Sequence, residues 1–336
     1  MTYQNASLFL SLPFHKPLLI NSPDKELMDT ISCLYGQYCV SLKDTEAFSC
    51  ESHSSVSENI CAALAVEITP LSNRMFSVSV LRKGSCSSET VLQVQKISRI
   101  FKFLENLSTL YPANAALGTA DCINGTVTDN ETVFAIHAAG VEVGGKAYLF
   151  SAATGEGKST LIAYLTTRGF SYISDDCIYL KRKKDVSTES NALKLSHISK
   201  INVYPYQKPV HLRDGGKLAL EKNLCSKGEI LETQYCHYSV LPELSRHIFI
   251  PKYLSPSQLP LGKIFFFKRG EENFSSPSPL SVQLALQNLL QASTCQHSLE
   301  KNYLSFLLQL ANGYCWTLIY QDMEWVFQYL KKENSF

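Results

Sequence analysis

The stretch SAATGEGKST, residues 151–160, constrains the fold of this chain more than any other. An apolar run at 147–150 precedes it, and a helical pattern over 160–167 follows it. In the order strand, glycine-rich loop, helix, the unpaired N–H groups and the dipole at the helix N-terminus attract negative charge. The sequence therefore predicts an α/β fold in which this loop cradles phosphate groups.

The residue types in the loop suit a nucleotide phosphate. Gly155 and Gly157 let the backbone approach the ligand, and Lys158 has the length to reach the β- and γ-phosphates. Ser159, in preference to Thr160, can place its hydroxyl on Mg²⁺. ATP and Mg²⁺ are therefore the expected cofactors. The predicted nucleotide-binding residues are those of the loop: Ala153, Thr154, Gly155, Glu156, Gly157, Lys158, Ser159 and Thr160.

Two residues depart from the usual Walker pattern. Ala152 stands where that pattern has a glycine, and Glu156 brings a carboxylate into the loop. A carboxylate near a triphosphate is repelled unless it points outward. Two alternatives therefore stay open: a chance glycine-rich turn, and a nucleotide-binding protein that does not transfer phosphate.

An acidic pair, Asp175-Asp176, follows the next predicted strand, residues 170–174. Ligands in α/β sheets lie at the carboxyl ends of strands, so the pair is expected to face the same crevice as the loop. Adjacent carboxylates repel each other unless a cation or a proton offsets the repulsion. The pair predicts one carboxylate on Mg²⁺ and one available to a proton, with a solvated turn as the alternative.

Composition excludes several other classes of protein. The 336 residues carry 31 basic and 30 acidic side chains, so no overall charge favours a nucleic-acid or membrane partner. The eleven cysteines lack the close, repeated spacing of a zinc site or a disulfide framework. With no pattern of a secretory signal or of a membrane span, the expected location is cytoplasmic.

Residues 1–120 are expected to form a separate α+β module, a scaffold or a substrate-recognition domain. Apolar spacing predicts a helix over 24–38, strands over 60–68 and 75–81, and a longer amphipathic helix over 88–110. No catalytic constellation is apparent in this half.

The remainder alternates strand and helix patterns. A strand over 131–142 leads through the Gly144-Gly145 turn into the strand before the loop. Residues 213–250 are mixed and poorly patterned. Further elements are predicted as strands at 201–204 and 261–267 and helices at 280–290 and 303–310.

Several short motifs follow one another along the chain, and their combined order is more specific than any one of them. They are His137-Ala138-Ala139-Gly140-Val141, Gly144-Gly145, the loop through Lys158-Ser159-Thr160, Arg168-Gly169 and Ser174-Asp175-Asp176. Over roughly 50 residues they resemble the catalytic core of the HPr kinase/phosphorylase family. The resemblance is closer to divergent relatives that include peptide-tailoring kinases of lasso-peptide and other ribosomal-peptide pathways.

The resemblance implies a P-loop core of mixed sheet and helices, related to that of PEP carboxykinase, in residues 121–336. It implies that Asp175 is the general base and that Asp176 is a metal-associated carboxylate acting with Ser159. It places His137 near the transferring phosphoryl group, although a lone strand histidine is usually a satisfied core residue. Lys208 is the implied phosphate-contacting cation, with an ordinary surface lysine as the alternative.

The chain also departs from true HPr kinase. The glycine-rich segment that follows the acidic pair in that family is missing, and residues 1–120 show no match to its regulatory domain. The expected activity is therefore ATP-dependent transfer to a hydroxyl other than that of HPr. The acceptor is expected to be a peptide serine, or alternatively a small hydroxylated molecule. Carboxykinase chemistry is a distant option without a matching metal-ligand set, and the family's ring assemblies imply a homo-oligomer.

Overall fold

The computed structural model describes fifteen stretches of the chain. These are residues 6–10, 18–35, 39–40, 65–71, 75–81, 89–94, 100, 133–182, 200–207, 209–225, 246–256, 258–270, 276–293, 301–320 and 322–333. They fall into two compact units, one before and one after residue 128. Within these stretches, no helix is long and apolar enough to cross a membrane.

The described residues of the first unit include a six-stranded sheet and the helix α1 (Lys25–Tyr35). Its strands are β1 (Ala6–Leu10), β2 (Leu18–Ser22), β3 (Cys39–Val40), β4 (Ala65–Pro70), β5 (Phe76–Leu81) and β6 (Glu89–Val94), in the order β3-β1-β2-β4-β5-β6. The Asp24 carboxylate accepts a hydrogen bond from the Leu27 N–H at 3.0 Å and so caps the helix. The helix buries Leu27, Met28 and Ile31, the apolar side predicted from the sequence.

The helix predicted over residues 88–110 of this unit is wrong in its first part. Residues 88–110 were expected to be helical, but 89–94 form strand β6, which pairs antiparallel with β5. Valines at 91 and 94 favour a strand, and pairing with β5 satisfies backbone groups that a helix would have satisfied internally. Elsewhere in the predicted helix, only Ile100 is described, as a helical and buried residue.

The second unit is built on a mixed nine-stranded sheet. Its main path runs β10-β8-β9-β15-β12-β11-β7, and β17 extends it from β15 and pairs with β16. The strands are β7 (Val133–Ile136), β8 (Ala139–Val143), β9 (Lys146–Ser151), β10 (Ser171–Ser174), β11 (Ile178–Arg182), β12 (Ile201–Tyr204), β15 (Leu259–Arg269), β16 (Ser278–Pro279) and β17 (Cys315–Tyr320). Strands β9, β15 and β17 are parallel to one another, so their carboxyl ends meet at one edge.

Helices cover both faces of this sheet. They are α2 (Lys158–Thr167), α3 (Asp214–Cys225), α4 (Val282–Ala292), α5 (Lys301–Gly313) and α6 (Met323–Glu333), and β13 (Val210–Arg213) pairs with β14 (Arg246–Phe249) beside α3. Successive residues of a strand point to opposite faces. Phe150 and Phe265 therefore pack with α2 and α6, whereas Leu149 and Ile264 pack with α4 and α5. Burial on both faces explains why the central strands are almost wholly apolar.

Most predicted elements of this unit are present, with shifted ends. The expected hairpin turn has Gly144 and Gly145 at φ of 57° and 73°, the left-handed values that such a turn requires. The single strand predicted over 131–142 is two strands, β7 and β8. Residues 210–225 and 246–249, which lay largely in the poorly patterned stretch, form β13, α3 and β14.

A polar network joins the sheet to α6 at the amino-terminal half of β15. The Lys263 ammonium donates to Glu333 at 2.8 Å and to the Tyr329 hydroxyl at 3.1 Å, and it lies 4.5 Å from the ring centroid of Trp316. The Tyr148 hydroxyl donates to the same carboxylate at 3.2 Å. Burial alone would raise the pKa of Glu333, but the hydrogen bonds from Lys263 and the two tyrosines and the charge of Lys263 together lower it.

The network predicts an acid-dependent part of the stability. Because the folded-state pKa of Glu333 lies below its ordinary value of 4.5, its contribution is complete above that pH and is lost as the pH falls through the folded-state pKa. We expect Glu333→Gln to cost about 1–2 kcal/mol at neutral pH and to weaken the loss of stability on acidification. Denaturant unfolding at several pH values measures both effects. Glu221→Gln removes a partly exposed i, i+4 pair with Lys217 and is the control, expected to cost at most about 0.5 kcal/mol.

Candidate active site

The glycine-rich loop joins the carboxyl end of β9 to the N-terminus of α2. Gly155 and Gly157 have φ of 96° and 94°, and Gly157 occupies the position directly before the helix. Other residues adopt these values only with strain, so the two glycines allow the tight entry that aims the first N–H groups of α2 outward. The helix ends at the Arg168-Gly169 motif, where the Gly169 N–H donates to the Thr166 carbonyl and the Phe170 N–H to the Leu165 carbonyl.

Lys158 lies over the loop, with only 7% of its surface exposed. Its ammonium donates to the carbonyl oxygen of Ala152 at 2.7 Å and approaches that of Ala153 at 3.4 Å. Burial lowers the pKa of this lysine, and neighbouring carboxylates, that of Asp176 foremost, oppose the shift. The loop's own carbonyls thus hold a buried cation close to the acidic pair.

The acidic pair follows β10 and reaches the start of α2. Asp175 is 1% exposed, and its Oδ1 accepts a hydrogen bond from the Ser159 hydroxyl at 3.1 Å. Asp176 is half-buried and has a φ of 83°. A left-handed conformation is uncommon outside glycine, and Asp and Asn adopt it more readily than other residues. The turn therefore brings the loop and both carboxylates together.

His137 lies between β7 and β8 and contacts this turn. Its Nδ1 is 2.8 Å from the carbonyl oxygen of Asp176, and because a carbonyl only accepts, Nδ1 carries the proton and donates. The His137 backbone is held on both sides: its N–H donates to the Ala292 carbonyl at 2.7 Å, and its carbonyl accepts from the Ser151 hydroxyl at 3.0 Å. The histidine is therefore a fixed support for the left-handed residue of the turn.

Two variants of His137 test this support, because each keeps a nitrogen near the position of one of the two ring nitrogens. The amide nitrogen of Asn lies near the position of Nδ1, whereas that of Gln lies near Nε2. We expect His137→Gln to lower the free energy of unfolding by about 1–2 kcal/mol and His137→Asn to cost clearly less. Chemical denaturation followed by tryptophan fluorescence measures both values. Equal losses would contradict a supporting hydrogen bond from Nδ1.

A cavity of about 630 Å³ lies in front of these residues. One wall is the loop with the acidic pair and His137, and a second is formed by β13 and α3. The two walls are closely packed at their base, since a Cβ on Gly216 would lie 2.7 Å from the Thr160 hydroxyl. The polar or charged residues of the second wall are His211, Arg213 and Asn223.

Arg269 and Tyr320 complete the cavity, and sequence reasoning did not assign them. They are paired at the carboxyl ends of the parallel strands β15 and β17. The Arg269 N–H donates to the Glu156 carboxylate at 3.3 Å, so this carboxylate is directed toward the end of β15. Burial raises the pKa of Tyr320 to about 12; the positive charge of Arg269 opposes this rise and the negative charge of Glu156 adds to it. Only the parallel order of the strands, which no local pattern reveals, could have indicated these positions.

Of the predicted site residues that the structure describes, all but Ala153 line one cavity. The loop residues 154–160, both aspartates and His137 line the cavity, and Ala153 lies at the exposed start of the loop. Lys208, the implied phosphate-contacting cation, lies outside the described residues. No group of three or more His, Cys, Asp or Glu side chains suited to a metal ion occurs within the described part of the chain.

Comparison with known proteins adds little to this geometry. No family model matches the chain, and no curated protein matches it in sequence. Among solved structures, the Hpr(Ser) kinase/phosphatase from Coxiella burnetii is similar at 11% identity, covering 60% of this chain and 90% of that chain, with a TM-score of 0.29. A likeness of this strength carries no argument about family or activity.

Proposed function

We propose that the chain is an ATP-dependent phosphotransferase whose second unit contains the catalytic site. The observation that supports it is the convergence, in one cavity, of a glycine loop at a helix N-terminus, a buried lysine and two carboxylates. Each of these groups has a place in phosphoryl transfer, where catalysis consists mainly of positioning and charge stabilisation. The alternative of a silent nucleotide-binding protein rests on Ala152 and Glu156.

The loop and Lys158 would bind the phosphates. The N–H groups at the start of α2 and the ammonium supply the positive potential that a polyphosphate needs. The donors available for a cation are the Ser159 hydroxyl and the carboxylates of Asp175 and Asp176, hard oxygen ligands of the kind Mg²⁺ prefers. A bound Mg²⁺ would neutralise charge on the phosphates. The Glu156 carboxylate accepts a hydrogen bond from the backbone N–H of Arg269 at 3.3 Å.

The acceptor is proposed to be a hydroxyl, and a peptide serine in preference to a small hydroxylated molecule. The support for a peptide is the sequence resemblance to peptide-tailoring kinases. One carboxylate of the acidic pair takes the hydroxyl proton as the oxygen attacks the γ-phosphorus. Residues 1–120 are proposed to recognise the substrate, residues 121–336 to carry catalysis, and the chain to form a homo-oligomer.

Mass spectrometry tests the proposal directly. The full chain is incubated with ATP, Mg²⁺ and serine-containing peptides encoded near its gene, and a gain of one phosphoryl group on a serine is the expected result. A gain only on a small hydroxylated molecule would replace the peptide as acceptor. ATP binding without transfer to any acceptor would favour the silent regulatory protein.

Arg269 is proposed as a second phosphate-contacting cation, in the role that the sequence suggested for Lys208. We expect Arg269→Met to weaken ATP binding by about tenfold, because a charge-assisted hydrogen bond contributes about 1.5–3 kcal/mol. Binding of adenosine, which has no phosphate, should be unaffected. Lys268→Met is the matched control, since Lys268 is an exposed neighbour that does not line the cavity. Calorimetry on both variants measures the effect, and equal changes would contradict the role.

A further inference from the structure

We infer that the two carboxylates of the acidic pair divide their tasks in the reverse of the order that the sequence resemblance implies. Asp175 is the metal-side carboxylate, acting with Ser159, and Asp176 is the carboxylate that accepts the proton of the attacking hydroxyl. The inference rests on the proposed function and deepens it.

The contact between Ser159 and Asp175 supports the first half. The hydroxyl oxygen lies 3.1 Å from Oδ1 of Asp175, so two hard oxygen donors already face each other at the first turn of α2. In nucleotide-binding loops of this type, the cation is held by the loop hydroxyl together with a strand-end aspartate. Ser159 and Asp175 would therefore be the residues that hold a divalent cation.

Access separates the two side chains. Asp175 is 1% exposed, so an acceptor hydroxyl arriving from the cavity has almost no surface of this carboxylate to meet. Both aspartates line the cavity, but Asp176 is only half-buried. A general base must come within hydrogen-bonding reach of the proton it removes, and Asp176 meets this requirement better.

The acidic pair lies in a turn whose second residue is left-handed. Asp176 has a φ of 83°, and the Nδ1–H of His137 donates to its carbonyl oxygen at 2.8 Å. On the preceding side, the Ser174 hydroxyl lies 2.6 Å from the Cys177 carbonyl and closes the turn. These hydrogen bonds fix the backbone on both sides of the turn. The side chains of Asp175 and Asp176 therefore meet different surroundings. His137 is accordingly a positioning residue, acting through Asp176.

The step balances with these roles. The acceptor oxygen forms a bond to the γ-phosphorus of ATP while the bond from that phosphorus to the bridging oxygen breaks, and ADP leaves with the electron pair. The hydroxyl proton passes to the carboxylate of Asp176. No oxidant, reductant or further reactant is required.

The test compares Asp175→Asn with Asp176→Asn, which are isosteric, and Asn tolerates the left-handed conformation at 176. The first readout is ATP affinity as a function of Mg²⁺ concentration, by calorimetry, and the second is the single-turnover rate of transfer. For Asp175→Asn we expect the Mg²⁺ concentration for half-maximal ATP binding to rise at least about tenfold. Ser159→Ala should shift it in the same direction, and the double variant should add little, because both residues act through one ion.

For Asp176→Asn we expect the Mg²⁺ dependence of ATP binding to stay within about threefold of the wild type, while the transfer rate falls by about 10²–10⁴-fold. The opposite pattern, with the Mg²⁺ requirement shifted by Asp176→Asn and not by Asp175→Asn, would overturn the inference and leave the proposed function standing. A wild-type protein that binds no ATP in Mg²⁺ would overturn both. Unfolding curves for each variant check that a loss of ATP binding or of transfer does not come from unfolding of the protein.

Discussion

Lys158→Met is expected to lower the rate of ATP-dependent transfer by about 10³-fold and to weaken ATP binding, with little effect on folding. The ammonium is the cation of the loop, and removing one preorganised donor to developing charge commonly costs about 10²–10³ in rate. Its burial makes the charge costly to the folded state, as the lowered pKa of Lys158 shows. Methionine has a similar length and no charge to desolvate, so unfolding should change by no more than about 1 kcal/mol.

Lys146→Met is the matched control for this prediction. Lys146 is the exposed first residue of β9, the strand that leads into the loop, so the same change of side chain is made there away from the cavity. Its ATP affinity and transfer rate should equal those of the wild type. If Lys158→Met transferred phosphate at the wild-type rate, the loop would have no part in the chemistry.

The central part of the fold was predictable because its signals are local. The Gly144-Gly145 turn, the glycines of the loop and the Gly169 stop each impose a backbone conformation within a few residues. Together they set β8, β9 and α2 in order without reference to distant contacts. Because ligands in α/β sheets lie at the carboxyl ends of strands, Asp175 and Asp176 were expected to face the loop. The hydrogen bond from the Ser159 hydroxyl to Asp175 joins the pair to the loop.

Features that depend on distant pairing were not predictable. Strand β6 carries a helix-like spacing of apolar residues, and its pairing with β5 decides its conformation. Arg269 and Tyr320 reach the cavity only because β15 and β17 run parallel to β9. The left-handed Asp176 has no sequence signal of its own, and its support comes from His137, 39 residues away along the chain.

Phe265→Ala is expected to be the most destabilising single change in the second unit, at about 3–5 kcal/mol. Phe265 is fully buried in the strand between β9 and β17, with its ring 5.4 Å from that of Phe150 and 6.2 Å from those of Tyr148 and Tyr329. Truncation leaves a cavity between the sheet and α6 that these stacked rings cannot readily fill, and it removes aromatic contacts as well. Phe265→Leu keeps most of the volume and should cost about 1 kcal/mol.

The measurement can be confined to this unit, because the chain has two tryptophans, Trp316 and Trp325, and both lie within it. Denaturant unfolding followed by their fluorescence gives the loss for each variant. Leu308→Ala truncates a leucine that is 43% exposed on α5 and, without a cavity to create, should cost about 0.5 kcal/mol or less. The loss of packing in Phe265→Ala should also affect the candidate site, since Phe265 precedes Arg269 on the strand that borders the loop. If Phe265→Ala were as stable as Phe265→Leu, the sheet and α6 would have moved together to fill the space left by the ring. The packing of this layer would then not hold the parallel strands rigidly.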